Sequence, residues 1–135
     1  MRDTTEARGE VRRAIERLPG LVNGDPGLSF RCRAMTLDFV LASGRDRFYV
    51  GVRAGRMEPV VRGEQILRSA ALAFSAEPET WLAHWEPVPG PREYDLFALV
   101  KDERLVIEGD MRVLMRHLQN IKDILAAPRA LDEEA

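Results

Sequence analysis

The sequence predicts an α/β (α+β) fold in which amphipathic helices cover a β-sheet. Leu28 to Ser75 contains runs with apolar residues at alternate positions, and Leu105 to Glu108 is a further short apolar strand. From Met111 to Leu125, apolar residues recur at steps of three and four and form one wide helical stripe. A stripe of this width requires a broad apolar partner, and the predicted sheet supplies it.

The composition is that of a single globular domain spanning residues 1–135. The chain has 135 residues, of which 45% are hydrophobic and 31% are charged. The net charge is -2, and the arginines alternate with acidic residues, so no basic block forms and nucleic acid is not an expected partner. Cys32 is the single cysteine, which excludes an internal disulfide and favours a reducing compartment. No apolar run reaches the ~20 residues of a membrane span, so we expect a bacterial-type cytoplasmic protein without stable membrane insertion.

The first predicted element is a helix over residues 5–18. The core of the predicted domain follows it and spans residues 28–125. Its apolar residues share one face, and Pro19-Gly20 is expected to end it. Asn23 to Gly27 is rich in turn-forming residues and predicts a loop. That loop is either a plain connector, which is the commoner case, or a mobile entrance.

Three strands are predicted next, as an antiparallel meander. Leu28 to Leu41 is the first, and its apolar phase slips by one residue near Ala34-Met35, which indicates a bulge or burial on both faces. A turn leads to the second strand, Phe48 to Val52. Met57 to Val61 is the third, and Pro59 within it removes a hydrogen-bond donor and so predicts an edge position.

The second half of the chain mixes a strand with two short helices. Ile66 to Ser75 is predicted as a strand, although its alanines also favour helix. Pro78 to Trp85 follows as a helix with Trp81 and Trp85 one turn apart on the same face. After a proline-rich loop, Glu93 to Lys101 predicts another short helix.

The last predicted unit runs from Leu105 to Leu125. A buried strand ends in a tight turn at Gly109, and Asp110 is well placed to cap a single closing helix because its carboxylate can accept free N–H groups. Leu131 to Ala135 predicts a frayed acidic tail.

The sequence contains few motifs typical of catalytic, metal-binding or phosphate-binding sites. No phosphate-binding glycine pattern is present, and His84 and His117 lie on different helices without carboxylates at metal-ligand spacing, so neither a metal nor a cofactor is expected. Cys32 and Asp38 are the two residues that an enzyme acting on an apolar substrate would use. Both are better explained as strand residues, Cys32 as a small buried side chain and Asp38 as an outward-facing one.

The prominent feature is an apolar cluster in the second half of the chain. Methionine fills irregular shapes, so a cluster that contains it suits an adaptable apolar pocket, although the spacing alone favours an ordinary helix-on-sheet core. The predicted site residues are Phe74, Trp81, Trp85, Phe97, Met111, Leu114, Met115 and Leu118.

At Leu105-Val-Ile-Glu-Gly-Asp110, followed by Leu114 and Leu118, the chain resembles the sterol carrier protein type 2 family. The segment Ala70 to Leu82, which runs from a strand into an acidic helix start, is also similar to that family. The resemblance extends over roughly Ser29 to Leu125 and depends on the order of elements more than on the short motif.

The resemblance implies a five-stranded mixed, largely antiparallel sheet with helices packed on one face, and a tunnel between them for fatty-acyl, sterol-like or isoprenoid molecules. It brings no catalytic residue and no cofactor. The segment Glu86 to Tyr94 departs from the family pattern, which implies a reshaped entrance. The alternative function is an interaction protein whose core is filled by its own side chains, and which forms a homodimer or binds a protein partner.

Overall fold

The computed structural model describes residues 3–63 and 69–133. The helices are α1 (Thr4–Asn23), α2 (Pro26–Arg31), α3 (Pro78–His84), α4 (Leu96–Lys101), α5 (Met111–Arg116), α6 (Leu118–Ala126) and α7 (Ala130–Glu133), with a 3-10 turn at Ala127–Arg129. The strands are β1 (Leu37–Ser43), β2 (Asp46–Arg53), β3 (Arg56–Met57), β4 (Val61–Arg62), β5 (Leu72–Ala76) and β6 (Leu105–Gly109).

The sheet is mixed and largely antiparallel, as predicted. Its order is β3-β2-β1-β5-β6, and β4 also pairs with β2. The β1–β2, β2–β3, β2–β4 and β5–β6 pairs are antiparallel, whereas β1 and β5 run parallel with Phe39 opposite Leu72. The predicted α/β fold class, with helices packed against a sheet, is confirmed.

One continuous core lies between the sheet and the helices. Alternate residues of the central strands point into it, because side chains on a strand alternate between the two faces. Phe39 and Leu41 of β1, Phe48 and Val50 of β2, and Phe74 of β5 are all buried there. No helix in the described ranges combines the length and the apolar composition needed to cross a membrane.

The N-terminal helix is longer than the predicted range 5–18. It continues through Pro19 to Asn23 and ends at Gly24, whose N–H donates to the Gly20 carbonyl over 3.0 Å. Val22, four residues after Leu18, is also buried, so the extra turn extends the same apolar face into the core.

The prediction of one strand from Leu28 to Leu41 was wrong over its first half. Residues 26–31 form α2, in which Pro26 occupies the first turn and the Asp25 carboxylate accepts from the Leu28 N–H over 3.1 Å. Leu28 and Cys32 are buried because they lie four residues apart on one helical face, while Phe30 between them is exposed. The phase slip near Ala34-Met35 therefore marks the passage from a helix to a strand and is not a bulge.

The third predicted strand is interrupted. Met57 belongs to β3 and Val61 to β4, and both short strands pair with β2 on either side of the segment that contains Pro59. In the predicted strand Ile66 to Ser75, residues 66–68 lie outside the described residues, and β5 covers the rest only from Leu72.

The predicted helices of the second half are present with small shifts. Helix α3 matches the prediction to within one residue, and Trp85 is its C-cap. Helix α4 begins three residues later than predicted because the Asp95 carboxylate accepts from the Phe97 N–H and so sets the helix start.

The single closing helix that the sequence predicts is broken into two. His117, with φ -115° and ψ 19°, separates α5 from α6. At the C-terminus, α7 occupies the first residues of the predicted frayed tail, and residues 134–135 lie outside the described range.

Candidate ligand-binding site

Helix α3 fixes the two tryptophans beneath the sheet. Their rings stack with centroids 5.5 Å apart and an interplanar angle of 24°. The Trp81 Nε1–H donates to the Ala42 carbonyl of β1 over 3.0 Å, and the Trp85 Nε1–H donates to the Leu125 carbonyl of α6 over 2.6 Å. Both indole N–H groups are therefore satisfied, and the pair joins the sheet to the C-terminal helices.

Phe74 and Leu114 complete the interior part of the predicted site. Phe74 packs edge-to-face on Phe39 with ring centroids 5.8 Å apart. Phe74 and Trp81 are 0% exposed and Leu114 is 1% exposed, so their surfaces meet protein atoms. These residues, with Trp85, form a packed interior.

The remaining predicted residues lie nearer the surface. Met111 is 43% exposed and Met115 is 57% exposed, and we call this pair on α5 the apolar rim. Phe97 and Leu118 are partly buried against the core. The Lys122 ammonium lies 4.9 Å from the centroid of the Phe97 ring. The structure thus divides the eight predicted residues between a buried interior and an exposed rim.

Helix α5 is a short helix that follows Gly109 and Asp110 and ends before His117. Gly109 has φ +121°, and a side chain there would collide with the carbonyl of Ala71, the residue before β5, so only glycine fits. The Asp110 carboxylate caps α5 by accepting from the N–H groups of Arg112 (2.9 Å) and Val113 (3.3 Å), as predicted. At the other end, His117 interrupts the helix. The six residues of α5 therefore form a helix of their own between strand β6 and helix α6.

A polar clamp that the sequence did not predict lies beside the tryptophans. Arg129 donates from Nε to the His84 carbonyl over 2.8 Å and from Nη2 to the Tyr94 carbonyl over 2.7 Å. Its guanidinium also lies 4.8 Å from the centroid of the Tyr94 ring. Arg129 follows the predicted closing helix, and no local spacing relates it to His84, so only the tertiary structure could reveal this contact.

His84 is the buried titratable group of this clamp. Its Nδ1 lies 2.8 Å from the Glu93 carbonyl, which can only accept, and 3.3 Å from Nη2 of Arg129, which can only donate. The shorter contact, to the carbonyl, favours the tautomer with the proton on Nδ1. The Nε2 atom is buried and has no hydrogen-bond partner among the described residues. Burial is the main cause that lowers the pKa of His84 to about 4, and the nearby Arg129 charge acts in the same direction.

The grooves around α6 are lined by other residues. One, of about 340 Å³, is bounded by residues that include Leu28, Arg31 and Ala127. Another, of about 180 Å³, lies beside the clamp and is lined in part by Tyr94 and Lys122. None of the eight predicted site residues lines either groove.

The two candidate reactive residues are not arranged for catalysis. Cys32 is fully buried at the end of α2, and burial raises the pKa of its thiol, which disfavours the reactive thiolate. The Asp38 carboxylate pairs with Arg53 at 2.9 Å. Within residues 3–63 and 69–133, no group of three or more His, Cys, Asp or Glu side chains could hold a metal ion.

Solved structures that share this arrangement of strands and helices include sterol carrier proteins. A crystal structure of sterol carrier protein 2 is 12% identical with a TM-score of 0.69, and the match covers 87% of this chain and 94% of that one. A conserved hypothetical protein of Thermus thermophilus, described as a candidate sterol carrier protein, is 11% identical with a TM-score of 0.66 and coverages of 87% and 85%. The UbiJ-SCP2 ubiquinone synthesis protein is 18% identical with a TM-score of 0.60 and coverages of 89% and 92%.

At the level of sequence there is no match. No family model matches the chain, and no curated protein matches it. The structural matches, all below 20% identity, show the fold alone. The chain therefore has a sterol carrier protein 2-like fold, as the resemblance around Leu105 to Asp110 predicts.

Proposed function

We propose that the protein binds or carries an apolar ligand, without catalysis, between the sheet and helices α3 to α5. The ligand is a fatty-acyl, sterol-like or isoprenoid molecule. The observation that carries the proposal is the division of the apolar cluster into a packed interior and an exposed rim joined by one short helix. The site consists of Phe74, Trp81, Trp85, Phe97, Met111, Leu114, Met115 and Leu118.

Ligand entry in this proposal requires helix α5 to move. Leu114 is its fully buried residue and Val113 packs partly against the core, so a small apolar area holds the helix down. The break at His117 allows α5 to swing without bending α6, about its start next to Gly109, which stays paired with Leu72 of β5. Withdrawal of Leu114 would open space in the core, and the methionines of the rim would then contact the ligand.

Burial of an alkyl chain supplies the driving force. Each methylene group taken out of water contributes about 0.8 kcal/mol. Part of that free energy offsets the cost of displacing Leu114 from the core. We therefore expect affinity to increase with chain length, and long acyl or isoprenoid chains to bind where short ones do not.

The decisive experiment is a direct titration. Protein freed of co-purified lipid is mixed with palmitate, with cholesterol and with a polyprenyl alcohol, and bound ligand is counted by native mass spectrometry. The polyprenyl arm is included because one similar structure is described as a ubiquinone synthesis protein. We expect a saturable one-to-one complex with one of these classes. A chain that binds none of them contradicts the proposal.

A matched pair of variants tests the location of the site. Met115→Glu places a charge on the rim, whereas Phe30→Glu places one on a similarly exposed apolar residue of α2. Both positions are at the surface, so stability should change by roughly 0.5 kcal/mol or less. We expect M115E to weaken ligand binding about tenfold or more and F30E to leave it unchanged, because a charge resists burial beside an alkyl chain. Equal affinities for the two variants would place the site elsewhere.

A second function is favoured by the same exposed residues. Met111 and Met115 are both more than 40% exposed, while the interior beneath α5 is filled by side chains. Such a surface suits a homodimer or a protein partner. Sedimentation of the lipid-free protein discriminates the two functions, because a dimer abolished by M115E supports an interaction protein and a monomer supports a ligand carrier.

A further inference from the structure

The fold gathers arginines that are scattered along the sequence into one basic groove. Arg8, Arg12 and Arg13 come from α1, Arg62 comes from β4, and Asp46 stands at the start of β2. The groove has a volume of about 350 Å³. Four arginines face one aspartate there, although the whole chain has a net charge of -2.

The single aspartate of the groove is already engaged. The Arg8 guanidinium holds it in a two-point ion pair, with Nε to Oδ2 and Nη2 to Oδ1 both at 3.0 Å. This hydrogen bonding lowers the pKa of Asp46 and raises that of Arg8, and the charges of Arg62 and Arg45 also lower the pKa of Asp46. Asp46 therefore positions Arg8, and its one negative charge cannot neutralise all four arginines of the groove.

The other arginines are weakly paired or unpaired. Arg12 lies 3.5 Å from Glu16 in an exposed pair one turn apart, a type that contributes little. Neither Arg13 nor Arg62 has an acidic partner within the part of the chain that the structure describes. The Arg13 guanidinium lies against Gly9, where a Cβ atom would be only 3.2 Å from Nη1, so the absence of a side chain at Gly9 makes room for it.

We propose that the basic groove binds a phosphoryl group, carried either by a small phosphorylated molecule in solution or by a phospholipid headgroup. The planar fork of arginine matches the oxygens of phosphate, and several guanidinium groups around one concave site favour a multiply charged anion. Arg13 and Arg62, which have no acidic partner among residues 3–63 and 69–133, provide the donors, and the Arg8–Asp46 pair holds α1 against β2. The groove shares no residue with the proposed apolar site, so either proposal can fail without the other.

The experiment has two arms. In the first, inorganic pyrophosphate is titrated into the protein and the heat of binding is measured. In the second, the protein is sedimented with vesicles of phosphatidylglycerol and, separately, with vesicles of phosphatidylcholine. Saturable pyrophosphate binding assigns the groove to a phosphorylated molecule in solution, and selective sedimentation with phosphatidylglycerol assigns it to a headgroup.

The variants Arg13→Gln and Arg62→Gln decide whether the groove is responsible. We expect each to weaken binding about tenfold, the loss typical of one charge-assisted hydrogen bond. Arg92→Gln is the matched control, because it removes the positive charge of another exposed arginine, which does not line the groove. Retained binding in R92Q beside weakened binding in R13Q and R62Q supports the proposal. Equal binding in all three variants, or no binding of either anion by the unaltered protein, overturns it.

Discussion

At the scale of single residues, the two tryptophans and His84 have roles that their spacing alone did not define. Trp81 and Trp85 were predicted on one face, and each is further held by an indole hydrogen bond to a backbone carbonyl of another element. His84 precedes Trp85 directly and is buried with it. The carbonyl of His84 is held by Arg129, so this part of the fold combines apolar packing with a buried polar clamp.

His84 predicts a pH dependence of stability. Its ordinary pKa of 6.5 is lowered to about 4 in the folded protein, so the unfolded chain binds the proton first as the pH falls. The contribution of neutral His84 to stability is fully present above pH 6.5 and is lost on descending from 6.5 to about 4. Each pKa unit is worth 1.36 kcal/mol, so we expect the free energy of unfolding to fall by about 3 kcal/mol across this window.

The measurement is urea unfolding at several pH values for the unaltered protein and for His84→Asn. The amide of asparagine can still donate to the Glu93 carbonyl but does not titrate, so H84N should lose most of the slope between pH 4 and 6.5. His117→Asn is the control, and it should retain the larger part of the slope, although partial burial also lowers the pKa of His117. An unchanged slope in H84N would contradict this account.

At the scale of elements, the helix between Gly109 and His117 matters most. Its cap at Asp110 was recognisable in the sequence, because an aspartate before an apolar helical run is a common start signal. Its end was not, since the apolar periodicity continues through His117 into α6 without interruption. A pattern of side chains reports which face is apolar, whereas the backbone angles at His117 depend on what that face packs against.

We expect removal of the Asp110 cap to destabilise helix α5. Asp110→Ala leaves the N–H groups of Arg112 and Val113 without their acceptor and should lower the free energy of unfolding by about 1 kcal/mol. If α5 opens to admit ligand, D110A should also accelerate amide hydrogen exchange in α5 and the uptake of ligand from vesicles.

Asp25→Ala provides the comparison for that prediction. Asp25 caps α2, another six-residue helix, through the Leu28 N–H. We expect D25A to lower stability by a similar amount without a change in ligand uptake. Equal acceleration by the two variants would mean that general loosening, and not opening of α5, controls entry.

At the scale of the whole molecule, a ligand that binds the folded state alone must raise the melting temperature. Binding at a free concentration one hundred times Kd adds about 2.7 kcal/mol to the free energy of unfolding. For a domain of 135 residues this corresponds to a rise of roughly 6–12 °C. Scanning calorimetry of lipid-free protein with and without the tightest-binding ligand measures the shift, and a bound ligand that leaves Tm unchanged would be incompatible with a site inside the core.

Local patterns determined much of this protein from its sequence alone. The β1–β2 hairpin, helix α3 with its paired tryptophans, strand β6 and the cap at Asp110 all follow from alternation, helical spacing or capping chemistry within a few residues. The errors also have local causes. At Leu28 to Arg31, a short alternation of apolar and polar residues favours a strand, and the helix start signal Asp25-Pro26 lies within a segment whose composition predicts a loop.

Only the tertiary structure decided which apolar residues are interior and which charges meet. Met111 and Leu114 belong to the same sequence stripe, yet one is exposed and the other buried, because burial depends on which other elements pack against each residue. Arg13 and Arg62 are separated in sequence by α2 and strands β1 to β3, and they line one groove because β4 pairs with β2. The periodicity of the sequence indicates the apolar face of one helix or strand. Which residues become buried, and which charges cluster, depends on how several elements pack together.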